Sequence, residues 1–169
     1  MATLPACTPG RCVLATFIPY PETFMFKKIL VPTDGSELAN KAAVTAAQLA
    51  KSQGAQIVGV YVIDPFPYIG IGDASAAGLQ AYLAEAKSVA GQALDALGKV
   101  CAAEGVSFVG DTIERNVVYE GVIETAQAEG CDLIVMASHG RQGVKALILG
   151  SVAQKVLTHA GVPVLIVKG

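Results

Sequence analysis

The chain has 169 residues, of which 53% are hydrophobic and 15% are charged, and its formal net charge is -2. This composition predicts one domain with a sizeable core and argues against disorder over most of the chain. The absence of a basic excess argues against nucleic acid as a partner. No apolar run reaches the length of a membrane span, so we expect no membrane partner.

Residues 1–24 differ from the rest of the chain, because they contain Pro5, Pro9, Pro19 and Pro21 and show no periodicity. Their apolar patch has only a weak likeness to a signal peptide. Met25 is followed by Phe26, then by a solvated pair of lysines and the first apolar run. We expect residues 1–24 to be a poorly ordered or wrongly assigned extension, and residues 25–169 to form the functional domain.

The first strand is predicted at residues 29–32, which are apolar throughout and end at a proline. A helix follows to about residue 52 and ends before Gly54. Asp34 and Glu37 have the spacing of a capping box, so Asp34 serves either as the helix N-cap or as a ligand-binding residue. The second strand is predicted at residues 56–63. Residues 68–78 are expected to form a mobile loop over the functional site.

A long helix with apolar residues at spacings of three and four follows this loop and ends at Gly105. The third strand, residues 106–114, is more mixed in polarity, which predicts an edge position. Asn116 is the predicted cap of a helix over residues 117–129. A continuous apolar run at residues 133–136, a helix over residues 152–158 and a last strand at residues 163–167 complete the domain.

Strands that alternate with helices predict an α/β fold with a five-stranded parallel sheet and helices on both faces. The common Rossmann-like order for five strands is 3-2-1-4-5, which reverses between strands one and four. Ligands bind such sheets at this switch point, beyond the carboxyl ends of the strands. The two loops that arrive there are residues 32–36 and 137–151.

The second of these loops carries glycines and leads into the last helix. Ser151 and Gln154 have capping-box spacing, so Ser151 is the predicted N-cap. The first amides of a helix lack helical acceptors, and the helix dipole is positive there. Glycines allow a close approach of the backbone, so the loop favours a phosphate site. The alternative is an ordinary capped helix without a ligand.

The spacing of this loop resembles the nucleotide-binding signature of the universal stress protein family, which is Gly, two residues, Gly, nine residues, Gly and then Ser or Thr. Gly140, Gly150 and Ser151 fit this pattern, whereas Ala137 replaces the first glycine. The resemblance extends over residues 26–168. It implies the fold of the adenine nucleotide alpha hydrolase-like proteins and a bound adenine nucleotide, ATP or else ADP or AMP.

The resemblance also implies a site residue by residue. The base and ribose would contact residues at the strand ends, namely Pro32, Thr33, Val62, Met136 and Ala137. The phosphates would contact the loop and the helix that follows, namely Gly140, Arg141, Gly150, Ser151 and Val152. Asp34 would accept hydrogen bonds from the ribose or face a Mg or Mn ion that bridges phosphate oxygens.

Three functions remain open at this point. The first is an ATP-binding sensor or regulator in the stress response, with slow hydrolysis or self-phosphorylation at most, because the Gly-x4-Gly-Lys-Ser/Thr pattern is absent. The second is a dimeric interaction module that binds no nucleotide. The third is an enzyme that hydrolyses ATP. The sequence argues against it, because no nucleophile and no orienting acid are visible as partners of His139.

The last strand, residues 164–167, is apolar and predicts an exposed edge that pairs with a second copy. The resemblance implies a homodimer through this same strand. Of the four cysteines, Cys101 and Cys131 are expected to be buried free thiols. Cys7 and Cys12 indicate neither a metal site nor a disulfide framework. This cysteine usage fits the reducing cytoplasm.

Overall fold

The structure, a computed structural model, describes residues 25–65, 76–140 and 149–169. Its strands form one parallel sheet in the order β3-β2-β1-β4-β5, which confirms the predicted topology. In chain order, the elements are β1 Lys28–Pro32, α1 Glu37–Gln53, β2 Gln56–Ile63, α2 Ala76–Glu104, β3 Phe108–Glu114, α3 Val118–Ala128, β4 Leu133–Ala137, α4 Ser151–His159 and β5 Val164–Val167.

The sheet carries a hydrophobic core on each face. Side chains alternate along a strand, so Ile29 and Val31 of β1 face the core formed with α1 and α2, whereas Leu30 faces the core formed with α3 and α4. The strand β4 is buried at every position. This burial on both faces explains why the central strands read as continuous apolar runs.

The helix α1 begins later than its capping-box spacing predicts. Ser36 is the N-cap, and its Oγ accepts a hydrogen bond from the N–H of Ala39 at 3.1 Å. Asp34 lies two residues earlier, where its Oδ1 accepts from the N–H of Ser36 at 2.9 Å. The prediction of Asp34 as the N-cap is therefore wrong, because its carboxylate holds the turn before the helix. Gly54, with φ 63°, ends α1 as predicted.

Two other predicted caps are also wrong. The N-cap of α3 is Val117 rather than Asn116, and it makes no side-chain capping hydrogen bond. The N-cap of α4 is Gly150, so Ser151 is the first residue of the helix. Because α2 begins at Ala76, the end of the predicted loop is helical, and its remaining residues, 68–75, lie outside the described part of the chain.

The contact between β1 and β4 is short and lies at one end of the sheet. Its register pairs Ile29 with Leu133 and Leu30 with Ile134. The carboxylate of Asp132 reinforces this end, because it accepts from the N–H of Lys27 at 2.7 Å and from the N–H of Lys28 at 3.2 Å. Beyond Leu30 and Ile134 the ladder has no further pairs, which leaves a crevice at the carboxyl ends of β1 and β4.

The two cysteines that the structure describes are free and buried, as predicted. Burial raises the pKa of the Cys101 thiol from 9.0 to about 11, against a smaller lowering by a backbone hydrogen bond. Burial likewise raises the pKa of Cys131 to about 11, and the positive charge of Lys28 opposes this shift. Cys7 and Cys12 lie outside the described residues.

The edge strands are β3 and β5, in agreement with the prediction for each. Each exposes one large apolar side chain, Val109 at 50% and Leu165 at 39%. Within the described ranges, none of the helices has the length and apolar character that crossing a bilayer requires.

Candidate functional site

A cavity of about 900 Å³ lies at the carboxyl end of the sheet, where the order of the strands reverses. Its volume is in the range of small-molecule sites. The predicted site residues that the structure describes all line it, namely Pro32, Thr33, Asp34, Val62, Met136, Ala137, Gly140, Gly150, Ser151 and Val152. Arg141 lies outside the described residues.

Thr33 anchors the turn that follows β1. Its N–H donates to the carbonyl oxygen of Val60 at 2.9 Å, and its Oγ1 accepts from the N–H of Gly35 at 3.1 Å. The residue is buried, with 7% of its surface exposed. Thr33 therefore shapes the wall of the cavity and fixes the position of Asp34 beside it.

One part of the cavity is apolar. Val62 and Met136 both belong to the core on the α3 side of the sheet, and both reach the cavity at the ends of their strands. The helix α3 approaches β2 closely because residue 121 is glycine. A Cβ at Gly121 would lie 3.1 Å from Cγ1 of Val62. Val118 and Val122 of α3 complete this wall.

Sequence reasoning missed Asp64 and Tyr82, which also line the cavity. Asp64 directly follows β2, as Asp34 follows the end of β1, so its position was a usable signal. Tyr82 belongs to the apolar residues at spacings of three and four that predict α2, and this spacing does not distinguish it from a core residue. Its hydroxyl donates to the main-chain oxygen of Asp64 at 3.0 Å, a contact that no local sequence pattern predicts.

The opposite part of the cavity is formed by the start of α4. The N–H of Gly150 donates to the carbonyl oxygen of Ser138 at 2.8 Å, so a phosphate contact predicted for Gly150 does not include this amide as a free donor. The N–H of Gln154 donates to Gly150 and begins the helical ladder. The amides of Ser151, Val152 and Ala153 precede that ladder and have no acceptor within the helix, and no side chain caps it at Gly150.

At two glycine positions of this region a side chain would lie close to other atoms of the chain. A Cβ at Gly140 would lie 2.9 Å from Oδ2 of Asp34, and a Cβ at Gly150 would lie 3.0 Å from the oxygen of Ser138. The loops after β1 and β4 therefore approach each other at Gly140. Both glycines line the cavity, and the lack of a side chain at each allows a close approach to the backbone.

The charged and titratable lining includes Asp34, Asp64 and His139, and the described lining contains neither lysine nor arginine. Nδ1 of His139 lies 3.1 Å from Oγ of Ser138, which is buried. Within the described residues, no group of three or more His, Cys, Asp or Glu side chains could hold a metal ion. A divalent cation here would need oxygen ligands from a bound molecule, which is how Mg²⁺ commonly binds beside one carboxylate.

Comparison with known proteins agrees with this arrangement. The sequence model of the universal stress protein family matches residues 25–168. Universal stress protein MJ0531 of Methanocaldococcus jannaschii is 36% identical over 145 residues, which cover 85% of this chain and 83% of that protein. A universal stress protein of Thermus aquaticus is 35% identical over 145 residues, which cover 85% of this chain and 100% of that protein.

Solved structures share the fold. The structure of MJ0577 is similar with a TM-score of 0.75 and 27% identity, over 86% of this chain and 97% of that chain. A universal stress protein in complex with cAMP has a TM-score of 0.61 and 21% identity, over 85% and 98% of the two chains. The universal stress protein from Archaeoglobus fulgidus in complex with dAMP has a TM-score of 0.59 and 22% identity, over 85% and 99%. From the family match over nearly all of the described chain, together with this shared fold, the protein belongs to the universal stress protein family.

Proposed function

We propose that the protein binds an adenine nucleotide (ATP, or ADP or AMP) in the cavity between β1 and β4 and acts as a nucleotide-dependent sensor or regulator in the stress response in the cytoplasm. The observation that carries this proposal is that Gly140, Gly150 and the start of α4 all line one cavity of about 900 Å³. The cAMP and dAMP complexes of two structural neighbours support an adenylate as the ligand.

The phosphates belong at the α4 end of the cavity. The amides of Ser151 and Val152 have no helical acceptor, and the positive end of the helix dipole favours an anion. The hydroxyl of Ser151 lies at the same helix start. Gly140 and Gly150 contribute by leaving room, because a side chain at either position would meet neighbouring atoms.

The negative charge of the phosphates requires compensation. The described lining holds Asp34 and Asp64 but no lysine or arginine, so we assign this role to Mg or Mn. Asp34 would supply the protein ligand and the phosphates the other oxygens. The cation would neutralise phosphate charge that the helix amides alone only partly offset.

The base and ribose belong at the apolar end. Val62 and Met136 end their strands there, and Pro32, Thr33 and Ala137 form the adjoining wall. Ala137 stands where the family signature has glycine, so its methyl group reduces the space in the cavity beside this wall. The cavity remains lined on that side by small residues.

Binding with slow turnover at most is the activity that this site supports. Nδ1 of His139 is within hydrogen-bond distance of the buried Ser138 hydroxyl. The sequence contains no P-loop lysine to contact the terminal phosphates. Slow hydrolysis or autophosphorylation is therefore the upper bound that we propose.

We also propose a homodimer that forms through β5. This strand is an edge of the sheet and is only partly buried, and Leu165 is 39% exposed. An apolar edge of this kind has unpaired main-chain groups on one side and pairs readily with a second copy.

The proposal is tested on the purified full chain. Denaturation followed by mass spectrometry is expected to release an adenine nucleotide, and calorimetric titration of the emptied protein with ATP and Mg²⁺ is expected to show saturable binding. Gly140→Leu should weaken binding strongly, since its side chain would start 2.9 Å from Asp34 Oδ2 and would either displace this carboxylate or occupy part of the cavity. Gly161→Leu is the matched control, because nothing lies within 4 Å of a Cβ there.

The competing function is a dimeric interaction module without nucleotide. The observation that favours it is the hydrogen bond of the Gly150 amide to Ser138, which removes one donor from the phosphate end. No released nucleotide and no heat of ATP binding would refute the sensor, and a dimer found together with these results would favour the alternative. ATP turnover well above a slow background would instead favour an enzyme.

A further inference from the structure

The side chain of Tyr82 joins two elements at the apolar end of the cavity. It lies in the second turn of α2, and Ala86, one turn later, lines the same cavity. Its hydroxyl donates to the carbonyl oxygen of Asp64, the residue that follows β2, at 3.0 Å. This bond fixes the ring between α2 and the end of β2.

We propose that the ring of Tyr82 contacts the purine base of the bound nucleotide and selects for molecules that carry one, an inference that rests on the proposed function. The hydroxyl is engaged with the main chain, and Tyr82 lines the cavity together with the apolar residues Val62 and Ile63. Aromatic rings recognise bases because each base offers a flat face for stacking.

The charges that line the cavity also favour a contact between the Tyr82 ring and the base. No lysine or arginine occurs among the described lining residues, and the charged groups there include the carboxylates of Asp34 and Asp64. The anionic end of a nucleotide therefore gains less from this part of the protein than in a site with basic side chains. Among the described lining residues, the apolar ones near Tyr82 are therefore those suited to contact the base.

A ring held in place before binding contributes more than a mobile one. The two torsions of the Tyr82 side chain are restrained by the bond to Asp64, so little conformational freedom is lost when the base arrives. This predicts separate roles for the ring and for the hydroxyl. The ring supplies the contact, and the hydroxyl supplies the orientation.

The test compares variants of the full chain with two ligands, ATP and tripolyphosphate, which has the anionic tail without the base. Tyr82→Leu is expected to raise the Kd for ATP about ten-fold and to leave the Kd for tripolyphosphate unchanged. Tyr82→Phe keeps the ring, so we expect a loss of only about two- to three-fold for ATP. Competition against a fluorescent ATP analogue measures all of these affinities.

Lys87→Ala is the matched control. Lys87 also ties α2 to a strand end, through an ion pair with Glu114 of β3 at 3.0 Å, but it does not line the cavity. It should leave the affinity for ATP unchanged. If Lys87→Ala weakened ATP binding as much as Tyr82→Leu, the effect would come from the position of α2, and the inference would be wrong.

A second measurement reports the contact directly. In protein with isotope-labelled tyrosine rings, the signal that disappears in Tyr82→Phe is expected to shift upfield on addition of ATP and to stay in place with tripolyphosphate. Wild-type binding of ATP without this shift, or unchanged ATP affinity in Tyr82→Leu, would overturn the inference and leave the proposed function intact. Absence of ATP binding by the wild type would overturn both.

Discussion

The N–H of Gly150 donates to the carbonyl oxygen of Ser138 at 2.8 Å, and a Cβ at residue 150 would lie 3.0 Å from the same oxygen. The start of α4 is thus held against the end of β4 by one short main-chain bond, and a side chain at residue 150 would crowd the oxygen that accepts it. The positions of the Ser151 and Val152 amides depend on this contact.

Gly150→Ala is expected to move the start of α4 away from β4. The free energy of unfolding should fall by about 1–3 kcal/mol, as for other overpacked positions, and ATP affinity should fall with it. Urea unfolding and calorimetry measure the two effects. Gly161→Ala, where a Cβ meets nothing within 4 Å, should change neither quantity, and equal effects at both glycines would contradict this account.

Asp34→Asn tests the assignment of the cation ligand. The amide keeps an oxygen that can accept from the N–H of Ser36, so stability should change by less than about 0.5 kcal/mol. The dependence of ATP affinity on Mg²⁺ is expected to disappear, because the charge is gone. Asp64→Asn at the same cavity is the control and should retain the Mg²⁺ dependence. Loss of that dependence in both variants would remove the special role of Asp34.

Leu165→Lys tests the dimer. A lysine on the β5 edge opposes pairing with a second copy, so light scattering after gel filtration should give the mass of a monomer. Because Leu165 is already 39% exposed, the monomer should stay folded. Val109→Lys places the same charge on the β3 edge, where valine is 50% exposed, and should leave the dimer intact. A dimer that survives Leu165→Lys would locate the interface elsewhere.

Two glycines of α2 are expected to respond differently to alanine. Nothing lies within 4 Å of a Cβ at Gly91, so Gly91→Ala should raise the free energy of unfolding by about 0.5–1 kcal/mol. A Cβ at Gly98 would lie 3.1 Å from the ring of Phe108. The free energy of unfolding of Gly98→Ala should therefore be lower than that of Gly91→Ala by about 1 kcal/mol or more. If urea unfolding showed equal stabilisation by Gly91→Ala and Gly98→Ala, the Phe108 ring would move aside without a cost in free energy.

The buried thiols predict a loss of stability in alkaline solution. Burial raises the pKa of Cys101 and of Cys131 from 9.0 to about 11, so the folded chain keeps protons that the unfolded chain loses. Stability from this source is present below pH 9 and is lost as the pH rises toward 11.

Urea unfolding between pH 8 and pH 10.5 measures this dependence, and the variant with both cysteines changed to alanine should show a shallower decline. Alkylation of the native protein at pH 8, followed by peptide mapping, should leave both residues unmodified. Rapid modification of Cys101 would contradict its burial.

The regular elements were predictable because their signals are local and strong. The strand β2 occupies Gln56–Ile63, as predicted, since its apolar run is followed by Asp64 and Pro65. The order of the strands followed from the alternation of strands and helices. The place of the site followed from that order, because the switch point of a parallel sheet lies where the order reverses.

The details of the site were less predictable, because they depend on contacts between distant residues. Asp34 and Ser36 are both good capping residues, and the choice between them depends on the turn that Thr33 fixes through Val60. The bond from Tyr82 to Asp64 spans 18 residues of sequence. The use of the Gly150 amide by Ser138 likewise appears only when β4 and α4 are placed together.

The ladder between β1 and β4 joins a three-stranded and a two-stranded part of the sheet and has pairs at the Asp132 end only, whereas the hydrophobic cores on both faces extend across the two parts. Asp34 and Tyr82 belong to the larger part, whereas the amides of α4 and the outer strand β5 belong to the smaller one. Under the proposed function, a nucleotide in the crevice would contact both parts and would link β1 to β4 beyond the last pair of their ladder.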